Sequence, residues 1–210
     1  MINLTDLKYY ETPYKHFVID NFFNDAEIYK KLYDEHGNPE HQFNGIDGIE
    51  CRDDLTKYFQ ENVLPILLDK IEEYFGDVDR DVWVENVNIT NSRWKDRLDN
   101  PDPLASNEFL IGRPSHIDGP SKKYPMLVYF DDGSAEDGIP DYAGSFQLMD
   151  WRNPDQVLKT IDFKNNRAVI FEASCISYHK FWCRPKNRLN LNIPIVNDKN
   201  NIDLTLHYKK

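Results

Sequence analysis

A mainly β domain with flanking helices, a sandwich or jelly roll, is the fold class that the sequence predicts, and three observations predict it. Helical periodicity is confined to the stretch before about residue 76. After it, short apolar or alternating runs follow one another, separated by clusters of Gly, Pro, Asp and Asn. The 210 residues, 40% hydrophobic and 13% aromatic, are enough to bury one sizeable core. Residues 1–210 are therefore expected to form one domain, with 1–76 supplying an N-terminal strand and supporting helices and 77–210 the β core.

Taken in order, "HFVID" at 16–20 alternates and reads as a strand. Asn24 is a candidate N-cap with Glu27 three residues on, a capping-box spacing, and the helix it opens should run to about His36 and stop at Gly37. From Asp54, the residues Leu55, Tyr58, Phe59, Val63, Ile66, Leu67, Ile71 and Tyr74 keep a helical stripe up to Gly76. Pro65 should kink or split that helix, because it has no N–H to donate and its ring crowds the preceding turn. Strands are then expected at 81–90, 108–113, 124–130, 144–150, 157–163, 167–172, 175–181, 188–196 and 203–208. Two four-stranded sheets, with the helices of 24–75 backing one of them, would accommodate this order.

The net charge of -11 argues against a protein that neutralises phosphate backbones, so neither nucleic acid nor an anionic membrane is an expected partner. The three cysteines, Cys51, Cys175 and Cys183, are odd in number and contain no C-x-x-C pair, which indicates neither a disulfide framework nor a zinc knuckle. A reducing, cytoplasmic setting is expected. The N-terminus lacks a basic region followed by an apolar one, and no window approaches 18 apolar residues, so neither a signal peptide nor a membrane span is expected.

Within the β region, His116 and Asp118 form an H-x-D element, and residues two apart on a strand point to one face. Such a pair reads either as a surface hydrogen bond or as two ligands. His179, at the end of a later apolar run, reads either as a core histidine bonded to backbone or as a third ligand. Two histidines and one carboxylate on one face of an octahedral ion would leave three positions open, a set that suits non-haem Fe(II) with oxygen. In "NRLNLNIPIV", Leu189, Leu191, Ile193 and Ile195 share one face and Arg188, Asn190 and Asn192 the other, which directs a guanidinium toward a polar interior. No acidic residue lies near it in sequence, so its partner is either a distant Asp or Glu or, sensibly for a bidentate fork, a ligand carboxylate.

With these residues in place, the chain resembles the 2-oxoglutarate and Fe(II)-dependent oxygenases, in their prolyl-hydroxylase-like branch, across roughly residues 80–196. The resemblance is an ordered set of elements. "HFVIDNFFNDAEI" looks like the opening strand and helix, "SHID" like the H-x-D element and "YPMLVYFDDG" like the strand after it. "AGSFQLMD" looks like the Gly-rich strand, "NRAVIFEASCISYH" like the strand of the distal histidine, and "NRLNLNIPI" like the strand that opens with the cosubstrate arginine. It implies a double-stranded β-helix of the jelly-roll, cupin-like kind. It also implies that His116, Asp118 and His179 bind iron, that Arg188 holds the distal carboxylate of 2-oxoglutarate, and that Tyr129 contacts the same group. Asn190 stands where the family often has a hydroxyl residue. The implied cofactors are Fe(II), 2-oxoglutarate and O2, and the implied reaction hydroxylates an sp3 carbon with release of succinate and CO2. Asp118 argues against a halogenase, because related halogenases leave that position to Gly or Ala.

Substrate choice should reside in the segments around the mouth, at 91–107 and 119–125, where Trp94, Arg97, Lys122 and Lys123 could meet an anionic group. Trp151 and Trp182 are expected to be packing residues, and 40–54 a lid or a connection. A small polar metabolite is expected in preference to a peptide. A cupin-like metal-dependent isomerase or hydrolase, and a jelly-roll ligand-binding module, are the competing readings.

Overall fold

The computed structural model describes residues 2–24, 56–91, 112–130, 143–182 and 188–201. The strands in them are β1 (Leu7–Tyr10), β2 (His16–Ile19), β3 (Trp83–Val84), β4 (Asn88–Asn91), β5 (Gly112–His116), β6 (Met126–Phe130), β7 (Phe146–Asp150), β8 (Asn153–Ile161), β9 (Arg167–Phe171), β10 (His179–Trp182), β11 (Leu189–Ile193) and β12 (Ile195–Val196). They form a six-stranded sheet in the order β1-β2-β9-β6-β11-β4, a four-stranded sheet in the order β5-β10-β7-β8, and a small β12-β3 pair. The neighbours in both large sheets pair antiparallel. The jelly-roll expectation holds, but one sheet is larger than expected, because β2 and the unforeseen β1 extend it beyond β9. Pro194 separates β11 from β12 within the run expected at 188–196. The strand expected at 157–163 begins earlier, at Asn153. The helix expected at 24–36, the 40–54 segment and the 203–208 strand lie, after Asn24, outside the described residues.

Period-two alternation sorts the strand side chains into two cores. Phe17, Ile19, Met126, Val128, Phe130, Ala168, Ile170, Leu191 and Ile193 pack on one face of the six-stranded sheet, beneath helix α1 (Leu64–Phe75). Their alternate neighbours Val18, Tyr129, Val169 and Phe171 face the four-stranded sheet, where they meet Phe146, Leu148 and Ile161. Arg167 ties the start of β9 to the end of β2 by two bonds to Asp20, Nε to Oδ1 at 2.6 Å and Nη2 to Oδ2 at 3.1 Å.

The helix before Gly76 departs from the expected stripe in an instructive way. A π-helical turn, Phe59–Val63, precedes α1, and its Leu64 N–H donates to the Phe59 carbonyl, five residues back. Pro65 sits in the first turn of α1, where its missing N–H costs least. The split that Pro65 predicts is therefore present, made by widening the turn before it. The wider turn holds one extra residue, so the buried face moves on by one position. Leu64, Leu67, Leu68, Ile71 and Phe75 are buried, whereas Ile66 and Tyr74, both in the expected stripe, are 44% and 40% exposed. Gly76 ends the helix with φ of 89°, a left-handed value that a side chain disfavours, while its N–H donates to the Glu72 carbonyl at 3.1 Å.

His16, on β2, is fully buried. Its ring stacks on Tyr10 with centroids 5.0 Å apart, Nδ1 donates to the Tyr14 carbonyl at 2.7 Å, and Nε2 accepts from Lys159 Nζ at 3.0 Å. Burial lowers its pKa to about 4, the Lys159 charge acts in the same direction, and the Tyr14 carbonyl opposes both.

Two predictions follow from this packing. Leu68→Ala should cost about 2–4 kcal/mol in urea unfolding and Ile66→Ala under about 1, since only the first opens a buried cavity. The reverse order would contradict the shifted face. For His16, the folded pKa lies below the ordinary 6.5, so between pH 6.5 and 4 the unfolded chain binds a proton that the fold does not. Its contribution is intact above pH 6.5 and is lost as the pH falls through that window, by up to about 3 kcal/mol. His16→Gln should flatten the difference between unfolding free energies at pH 7.5 and pH 4.5; parallel curves for variant and parent would refute it.

Candidate functional site

The antiparallel register of β5 and β10 sets His116 directly opposite His179, so both rings lie on one face of the small sheet with centroids 4.4 Å apart. One extra residue on β5 is absorbed between the His179 and Phe181 pairings, a bulge beside the two histidines. Asp118 is not on the strand. β5 ends at His116, and Asp118 reaches the same place from the loop beyond it, which corrects the expectation that strand alternation brings the H-x-D pair together. Its Oδ2 stands 3.7 Å from His179 Nε2.

The sequence around His179 fixes its ring. The Ser174–Ser177 turn presents the Ser177 carbonyl to Nδ1 at 2.9 Å, and because a carbonyl only accepts, Nδ1 carries the proton and Nε2 keeps its lone pair toward Asp118. Phe146 and Phe171 enclose the ring from the two sheets, at 5.1 and 4.9 Å between centroids. Burial lowers the His179 pKa to about 4, against the pull of Asp118. For Asp118, burial works against the carboxylate, but the two imidazoles where they carry a proton and the Lys122 ammonium throughout outweigh it and hold the group below its ordinary pKa. Tyr14 closes one side of this region. Its hydroxyl donates to the Tyr178 carbonyl at 3.2 Å, and burial and the Asp118 charge push its pKa well up.

As a donor set, two imidazoles and a carboxylate suit a first-row divalent ion. Two atoms on one such ion stand at most about 4 Å apart, a limit the His179–Asp118 distance respects. Among the described residues, however, no three His, Cys, Asp or Glu side chains are drawn together tightly enough to hold a metal as they stand. The Asp118 carboxylate is engaged instead by Lys122, whose Nζ donates to Oδ1 at 2.6 Å.

Arg188 is buried on the inner face, as the alternation of β11 requires. Its Nε donates to the Gly144 carbonyl and its Nη1 to Asn190 Oδ1, both at 2.9 Å and both neutral acceptors, which fixes the plane of the fork. The guanidinium carbon lies 4.4 Å from the Phe181 ring centre and 5.2 Å from that of Tyr129. Asn190 pairs with Tyr129 across β11 and β6, so Arg188, Asn190 and Tyr129 form one inward cluster. The Tyr129 hydroxyl is buried and meets no hydrogen-bond geometry among the described residues; burial raises its pKa to about 12 although the neighbouring Arg188 charge pulls it down.

The expected mouth residues fare differently. Lys122 points to Asp118, and Lys123 bonds Glu172 at 2.9 Å, so both ammonium groups already face carboxylates. Trp94 and Arg97 lie outside the described residues. Trp151 and Trp182 are half-buried, each with a cation against its ring, Arg152 at 5.0 Å and Lys180 at 4.9 Å, in keeping with packing roles. Sequence reasoning missed Tyr14, which carries no spacing signal, and the true direction of Lys122, whose position four residues after Asp118 was the available clue.

No family model and no curated protein matches the sequence. Solved structures do match. A prolyl 4-hydroxylase from Phytophthora capsici aligns over 89% of this chain at 19% identity with a TM-score of 0.53; this chain spans only 60% of that protein. A Pseudomonas putida prolyl-4-hydroxylase aligns over 88% of this chain and 86% of its own at 14% identity and a TM-score of 0.51. No helix among the described residues is long and apolar enough to cross a membrane. At these identities the likeness speaks for architecture, and it agrees with the two facing antiparallel sheets: the chain has a double-stranded β-helix of the jelly-roll kind, similar in fold to these prolyl 4-hydroxylases.

Proposed function

We propose that the protein is a non-haem Fe(II) and 2-oxoglutarate-dependent dioxygenase that hydroxylates an sp3 carbon, with release of succinate and CO2. The observation that carries this reading is the pairing of two clusters inside one fold: His116, His179 and Asp118 at the β5–β10 end, and the oriented Arg188 fork with Tyr129 and Asn190 on the facing sheet. Fe(II) held by His116, Asp118 and His179 would supply the redox chemistry that couples oxidation of 2-oxoglutarate by O2 to cleavage of the substrate C–H bond.

The residues of the chain have separate tasks in this reading. Neutral His179 offers Nε2, because Nδ1 is committed to Ser177. Asp118 supplies the anionic ligand. Arg188 takes the distal carboxylate of 2-oxoglutarate through its fork, with the Tyr129 hydroxyl as a second donor to the same group. Asn190 keeps the fork in plane. Phe146, Phe171 and Leu148 keep water from the reacting centre and strengthen the electrostatic contacts inside it.

The substrate in this proposal is a small polar molecule. The case for an anionic one weakens, since Lys122 and Lys123 are paired with carboxylates and only Arg97 is left to support it. A peptidyl residue is the second reading, favoured by the fold shared with prolyl hydroxylases.

Purified protein given Fe(II), 2-oxoglutarate and O2 should release succinate in step with a substrate that gains one oxygen atom by mass spectrometry. The screen covers free amino acids, neutral small molecules and proline peptides. Turnover confined to peptides would leave the oxygenase reading standing and replace the substrate class. A protein that binds metal but not 2-oxoglutarate would instead be a cupin-like isomerase, hydrolase or binding module. Arg188→Met should raise the 2-oxoglutarate requirement by a loss on the order of 2–5 kcal/mol, and an unchanged requirement would refute the role of that residue.

A further inference from the structure

We propose that Lys122 is a positioning residue that divides the Asp118 carboxylate, holding Oδ1 so that Oδ2 alone is presented beside His179. The inference rests on the metal reading above and goes beyond it, because Lys122 belongs to neither the ligand set nor the cosubstrate cluster. Nζ lies 2.6 Å from Oδ1 while Oδ2 stands 3.7 Å from His179 Nε2, so the two oxygens have different neighbours.

The ammonium group is held in place by the backbone. A turn closed by Lys122 N–H on the Gly119 carbonyl at 3.1 Å folds the chain back over Asp118. Lys122 then forms a bridge with Val196, and the residues on either side bond into the same strand end: Lys123 N–H to the Ile195 carbonyl at 2.8 Å, and Asn197 N–H to the Ser121 carbonyl at 3.0 Å. The side chains of Lys122 and Asp118 are 25% and 9% exposed, which places the ion pair at the margin of the interior, where solvent screens it less than on an open surface.

Asp118 lies in a loop, so no strand geometry decides which of its oxygens faces the histidines. A carboxylate with both oxygens available could take two positions on an ion and compete with the two oxygen donors of a bound 2-oxo acid. Lys122 excludes that mode by keeping Oδ1. Outer partners of this kind commonly change metal-site properties about 10- to 100-fold when removed.

The test uses the intact protein with Co(II) in place of iron, so that coordination is read without turnover. Lys122→Met should change the visible Co(II) spectrum and weaken 2-oxoglutarate binding to the Co(II) protein by about tenfold or more. Lys122→Arg, which keeps a charged donor, should restore both. Lys122→Gln serves as a second uncharged variant should the Met form fold poorly, as judged by circular dichroism. An unchanged spectrum and unchanged 2-oxoglutarate affinity in the uncharged variants would overturn the inference while leaving the metal reading intact. Failure of the parent protein itself to bind Co(II) would overturn both.

Discussion

Leu191 and Ile193 are fully buried beneath α1, and a strand that commits them there leaves Asn190 and Arg188 no place except the space between the sheets. A slip of one residue would expose two large aliphatic side chains to the inner cluster and drive the guanidinium under the helix, a loss of several kcal/mol on hydrophobic grounds alone. The same alternation runs through β6, where Met126, Val128 and Phe130 face the helix and Tyr129 faces inward, so the register of β11 on β6 brings Tyr129 and Asn190 together. The polar cluster follows from the way the apolar face is packed.

That constraint explains which parts of the molecule were legible in the sequence. The period-two signal in 188–193 is local and strong, and it placed Arg188 and Asn190 on the inner face without knowledge of any partner strand. His179 was legible as a strand-end histidine, and the H-x-D element marked the loop that meets it. Pairing His116 with His179 is a long-range fact that no local pattern contains; it came from the ordered family-like elements and appears in the register of β5 on β10.

What was not legible depends on backbone geometry that the residues do not announce. The π-helical turn shifts the buried face of α1 by one position, which exchanges Ile66 and Tyr74 for Leu64, Leu68 and Phe75, although both sets are apolar and fit a helical period. Strand β1, "LKYY", is too short to stand out, and only its pairing with β2 makes it a strand. Lys122 read as a mouth residue able to meet a ligand anion, because the turn that folds it back onto Asp118 is held in place by backbone bonds to a strand far along the chain.

The inner space holds His179, Asp118 and Arg188 in a region walled by Phe146, Phe171, Leu148 and Val169. Such groups are tolerated in a low-dielectric interior only when each is neutral or held by a partner. His179 meets the condition by losing its charge and bonding Ser177, Asp118 by its bond to Lys122, and Arg188 by bonds that fix its plane. The larger apolar core under α1 lies on the opposite side of the six-stranded sheet, so the sheet keeps one apolar face whatever polar groups stand among the apolar ones on its inner face. The inner face can therefore be composed for chemistry, and its charged groups act on one another at short range in an environment where each contact counts for more than it would in water.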